Sequence, residues 1–145
     1  MKKLLALLLL SPLAFADVVN LTCEYYKTVD MKTLKTTELS ETKSFNIESL
    51  TKRVVTEDGS FPYTEKGNQI TWQTFGGNLK LSGNYAFANV YIIDRVSGEM
   101  KNEFRDIYNP KGFDYQQLFN LKNYANSYEL RTISNAKCKR KEALF

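Results

Sequence analysis

The chain has 145 residues, with 20 basic and 16 acidic side chains and a formal net charge of +4. That length suits one domain, while 43% hydrophobic and 25% charged residues exclude a disordered chain, and seven Gly and three Pro exclude a collagen-like or Pro-rich one. The absence of histidine excludes Ser-His-Asp and Cys-His catalysis, His-ligated zinc and an imidazole acid or base.

The N-terminus has the form of an export leader. Lys2 and Lys3 give a short positive start, Leu4 to Leu10 form an apolar run, and Ser11-Pro12 breaks it. Ala14-Phe15-Ala16 is an A-x-A cleavage signal. The run is too short to cross a bilayer, which needs about 20 apolar residues. The expected products are a signal peptide at 1–16 and a single domain at 17–145. Cleavage after Ala16 follows Sec-type export from a bacterial cell to the periplasm or beyond. The mature domain would carry 18 basic and 16 acidic residues. So small a surplus gives no support to nucleic-acid binding, which needs a concentrated basic face.

Cys23 and Cys138 are the two cysteines. In an exported chain an even count reads as a disulfide, and two allow one intramolecular pairing. They are too few, without histidine, for a metal site of that ligand type.

After Asp17 the dominant signal is alternation with period two. Val19, Leu21, Cys23 and Tyr25 alternate with Asn20, Thr22, Glu24 and Tyr26, as in a half-buried strand. The segment from Asp30 to Thr42, rich in Thr, Lys and Glu, reads as a long loop or a short helix. Phe45 and Ile47, then Ile70 and Trp72, then Leu79 and Leu81 continue the alternation. Val90-Tyr91-Ile92-Ile93 is apolar on both faces and marks a well-covered strand. Met100 and Phe104 sit among charged residues, and Tyr128, Leu130 and Thr132 alternate with Glu129 and Arg131. Residues 115–124 fit either one helix or an irregular strand. Turn signals fall at Asp58-Gly59, Gly67-Asn68, Gly83-Asn84, Ser97-Gly98 and Asn109–Gly112, with Gly76-Gly77 expected as a two-residue hairpin loop.

The expected fold is therefore all-β, an antiparallel meander of about eight strands. A Cys23–Cys138 bridge draws the first and last strands together, which favours a closed or nearly closed barrel; a β-sandwich satisfies the same bridge. If the last strand runs straight, Cys138 shares a face with Tyr128 and Leu130. The layout is similar to that of small periplasmic barrels with one disulfide, such as lysozyme inhibitors. The resemblance covers layout, and that family's inhibitory loop motifs are absent.

Trp72, Phe104 and Tyr128 are inward-facing aromatics, candidates to line a lumen holding a small apolar or aromatic ligand. The expectation is a non-enzymatic binder without metal or cofactor, with a small apolar ligand or a protein as partner. One alternative is a secreted interaction or inhibitor domain acting through loops. A third class is a glycan-active enzyme using two of Asp94, Glu99, Glu103 and Asp106; their alternate positions suit outward pairing with Arg95, Lys101 and Arg105 instead. The basic run Lys137-Cys138-Lys139-Arg140-Lys141 discourages edge-to-edge aggregation. Counting back from Phe145 by twos puts Lys141, Lys139 and Lys137 on one face, which argues against a membrane-spanning barrel.

Overall fold

The structure is a computed structural model that describes residues 18–78, 85–108 and 129–141. Among these residues the chain forms eight strands and no helix. They are β1 (Val18–Asp30), β2 (Thr36–Glu48), β3 (Arg53–Thr56), β4 (Gly59–Lys66), β5 (Gln69–Asn78), β6 (Tyr85–Asp94), β7 (Glu99–Tyr108) and β8 (Glu129–Arg140). Each pairs antiparallel with the next, and β8 pairs with β1, so the sheet is a closed barrel in meander order. Closure gives every strand a neighbour on each side along part of its length, which the edge strands of a sandwich lack.

The alternation seen in the sequence sets the inner face. Cys23, Tyr25, Phe45, Ile47, Val54, Tyr63, Ile70, Trp72, Tyr91, Ile93, Met100 and Ala136 form one buried cluster. Eight strands enclose an interior just wide enough for side chains to fill. The middle is filled: Trp72, Met100, Val54 and Cys23 are fully buried. Trp72 stacks on Tyr91 at 4.9 Å between ring centroids, and Phe45 meets Trp72 edge-on at 5.4 Å. Such pairs add to the gain from burial alone.

Four sequence expectations need correction or placement. The Asp30–Thr42 segment is neither a long loop nor a helix: β1 runs to Asp30 and β2 begins at Thr36. The Asp30 carboxylate accepts the amides of Lys32 and Thr33, both at 2.9 Å. This tight turn frees the β-branched threonines to pair as strand. Gly76-Gly77 is not a loop but lies inside β5. Gly76 sits opposite Phe87 and underneath its ring, where a Cβ would collide; the glycine makes room for an aromatic rather than a turn. The last strand does not run straight, because a register shift places Leu130 opposite Arg105 while Thr132 pairs with Phe104. Residues 115–124, Tyr128, Leu79, Leu81, Gly83 and Asn109–Gly112 lie outside the described residues, as does the leader.

The barrel is locked where it closes. Cys23 lies directly opposite Cys138, their Cα atoms 3.9 Å apart, and the two form a disulfide. The Cys138 amide donates to the Gly98 carbonyl on the other side of β8, at 2.8 Å. The cysteines therefore face each other as a non-hydrogen-bonded pair, the type with side chains closest together. Gly98 has φ +73°, and a Cβ there would stand 2.6 Å from the Cys138 carbonyl oxygen, so this turn packs against the seam only with glycine. Replacing Cys23 and Cys138 together by Ala should lower unfolding free energy by about 4 kcal/mol, from the long loop that the bond closes. Urea denaturation of the oxidised protein and the variant checks this; equal midpoints would mean that the strand pairing alone fixes the seam.

Candidate functional site

The aromatic layer divides the interior into two ends of different chemistry. β1 begins and β8 ends at one of them, termed here the lower mouth; the hairpin turns β2–β3, β4–β5 and β6–β7 surround it. A cavity of about 520 Å³ opens there. Its apolar lining is Val19 and Leu21 from β1, Ile47 from β2, Tyr63 from β4, Ile70 from β5, Ile93 from β6 and Cys138 from β8. These are the end residues of the same period-two runs that build the core, and among the described residues they border an open space. Three exposed apolar residues stand at this end of the barrel: Val18 at the start of β1, Leu50 in the β2–β3 turn and Val96 in the β6–β7 turn, 45%, 75% and 78% exposed. Clustered exposed apolar groups around an apolar hollow mark a binding surface more than scattered ones do.

The rim is polar. Lys52 Nζ lies 3.0 Å from Glu65 Oε1 and over the Tyr63 ring, while Arg95 donates to the Gly67 carbonyl at 2.7 Å. The Lys52 hydrogen bond holds the Glu65 carboxyl below its ordinary range. Asp94 accepts the amides of Val96 and Ser97 at 2.8 and 2.9 Å, which shapes the β6–β7 turn and lowers its own pKa. Arg140 lines the cavity and has no ion-pair partner among the described residues.

The opposite end holds a second cavity of about 480 Å³. It is lined by residues 42–46 of β2, Val55–Asp58 around the β3–β4 turn, Thr74 of β5 and Tyr91 of β6. Burial first, then the neighbouring Asp58, raises the Tyr91 hydroxyl above its ordinary range; a hydrogen bond with Thr74 opposes this and Glu41 adds to it.

The sequence-derived aromatic candidates do not form one site. Trp72 is 2% exposed and packed between Phe45 and Tyr91, so it belongs to the plug that separates the two cavities. Phe104 is half-buried against Phe87, ring centroids 5.8 Å apart. Tyr128 lies outside the described residues. The mouth-lining residues Val19, Leu21, Ile47, Ile70 and Ile93 were visible in the sequence only as ordinary strand alternation.

The four carboxylates considered for glycan chemistry each have a partner of their own. Glu99 accepts from the Tyr26 hydroxyl at 3.3 Å, and Asp106 accepts from Arg131 Nε at 2.5 Å. Asp94 shapes its turn. Glu103 is held by Lys101 at 2.8 Å and Arg105 at 2.7 Å. Among the described residues no group of three or more Cys, Asp or Glu is placed to hold a metal ion. No protein-family model, curated protein or solved structure matches the chain.

Glu103 has a consequence for stability. Burial pushes its carboxyl up, but the bonds from Lys101 and Arg105 outweigh burial and hold the pKa below the ordinary value. A carboxyl lowered in the folded state stabilises above the unfolded pKa, ~4.3, and loses that stabilisation as pH falls through the folded value. Glu103→Gln should therefore be less stable than the parent near neutrality. The gap should close on acidification below about pH 4. Urea midpoints of both proteins across this range check it; a gap independent of pH would assign the loss to packing.

Proposed function

We propose that the protein is an exported, non-enzymatic binder that holds a small apolar molecule bearing an acidic group in its lower mouth. The observation that carries this reading is the 520 Å³ cavity, whose walls are aliphatic and aromatic and whose outer edge carries Arg140, which has no ion-pair partner among the described residues. Pockets for small molecules have volumes of this order, a mainly apolar lining and a few polar groups that orient the ligand. The exposed Val18, Leu50 and Val96 extend the apolar surface outward. The Cys23–Cys138 disulfide suits an oxidising compartment, and the leader-like segment at 1–16 supports export to the periplasm or beyond.

The aromatic plug bears on where the ligand sits. Trp72 and Met100 are fully buried in the middle of the barrel, so the ligand lies at the mouth with its apolar part on Ile47, Ile70 and Ile93. A carboxylate at the rim would meet Arg140.

Dodecanoate, an aliphatic chain with one carboxylate, is a suitable probe. Calorimetric titration should show saturable binding to the parent protein. Leu21→Glu places a charge on the cavity wall and should weaken binding by about tenfold or more, the scale of one aliphatic side chain's burial. Arg140→Gln, at an exposed ion pair, should cost no more than about fivefold. Leu34→Glu, at the opposite end in the β1–β2 turn, should leave binding unchanged. Absence of binding, or equal losses at Leu21 and Leu34, would contradict the reading.

A further inference from the structure

The barrel wall is continuous at the lower mouth and split at the other end. The cause is a mismatch of strand lengths: β1 and β2 have 13 residues each, β3 has four. β3 pairs with β2 only at Asn46–Glu48, and β4 pairs with β5 only at Gln69–Trp72. Residues 36–45 of β2 therefore pair with β1 alone, and residues 73–78 of β5 pair with β6 alone. Among the described residues nothing pairs with their second edges. Both edges border the 480 Å³ cavity, β2 through residues 42–46 and β5 through Thr74, with the β3–β4 turn at its base. Thr42 and Ser44 are exposed. Unpaired N–H and C=O groups on a strand edge are a template for another strand.

The chemistry of the split selects the occupant. Glu57 and Asp58 line it and have no ion-pair partner among the described residues. Glu41 stands close by, and Lys43, the lining's one cation, is spent on it at 3.5 Å. The floor is aromatic, made by Phe45 and Tyr91. A cation is attracted both by carboxylates and by ring faces. The Tyr25 hydroxyl is buried, has no partner among the described residues, and lies within electrostatic reach of Tyr91 and Glu41. A small cation would leave the two edges unpaired. A second copy is disfavoured, because β2's free edge carries Glu38 and Glu41 against Lys43 and two such edges repel.

We propose that the split between β2 and β5 is a docking site for an extended cationic segment of a partner protein. The segment pairs its backbone with the β2 edge and lays a Lys or Arg side chain over Phe45 and Tyr91, near Asp58. This gives one barrel two separate sites, an apolar mouth and a strand-accepting wall.

The probe is an acetylated, amidated hexapeptide of alternating Lys and Val. Trp72 is the only tryptophan of the chain and stacks on Tyr91, so its fluorescence reports occupancy at that floor. The peptide should bind saturably below about 1 mM at low ionic strength. It should slow amide exchange in 38–44 of β2. Glu57→Gln combined with Asp58→Asn changes only exposed turn residues and should weaken binding by about fivefold or more. A peptide methylated on every backbone nitrogen keeps its charge and should lose about tenfold or more. Three results would each overturn the proposal: no binding to about 1 mM, equal binding of the methylated peptide, or protection confined to other strands.

Discussion

The structure depends on the pairing of its first and last strands. Residues 21–30 of β1 lie along residues 132–140 of β8, more than a hundred positions away in sequence. Every other strand pair in the barrel joins strands consecutive in sequence. This seam is thus the one contact whose loop-closure entropy is large, and it is where the disulfide sits. Cys23 is fully buried and belongs to the same cluster as Tyr25, Ile47 and Met100. The covalent lock and the core are one element. Gly98 fits the β6–β7 turn against that lock, so the geometry of the lower mouth is tied to the seam as well.

The interior then follows from strand length. A row of large side chains, Trp72 stacked on Tyr91 with Phe45 at their edge, fills the barrel at the level where β3 and β4 give out. Below it, short aliphatic side chains leave a hollow at the chain ends. Above it, two long strands lose their common neighbours and the wall parts. The chemistry differs accordingly: among the described residues, aliphatic walls with an arginine outside any ion pair below, backbone edges with two acids outside any ion pair above. Two cavities of different lining in one small barrel explain why neither a filled lumen nor a hollow one describes it.

Much of the fold was legible in the sequence because the barrel is a meander. Val19 to Tyr25, Phe45 with Ile47, and Ile70 with Trp72 alternate as half-buried strands should, and adjacent runs pair. The two cysteines gave the seam, the one pairing that alternation leaves open. The misread segments share a cause. At Asp30–Thr42, charged and hydroxyl residues mask a pair of strands whose outer ends are exposed. At Gly76-Gly77, a glycine reads as a turn when it is making room for a ring from the neighbouring strand. In β8, a register shift has no local signal at all. The candidate site was less legible. Trp72 was rightly read as inward, yet an inward aromatic can line a hollow or plug it, and only the neighbours across the barrel decide. Leu21 and Ile93 read as core and do belong to it, Ile93 inside the buried cluster and Leu21 packed against it; they also line a mouth because of where the strands end, which register and stagger set.

The most direct test of the binder account is the intact mass of protein exported with its own leader and collected under native conditions. Under denaturing conditions the mass should match a chain that begins at Asp17 and lacks the two thiol hydrogens. Under native conditions it should be higher by the mass of a small retained molecule, and organic extraction should release an apolar acid. Equal native and denatured masses would contradict the account, leaving the lower mouth an empty hollow.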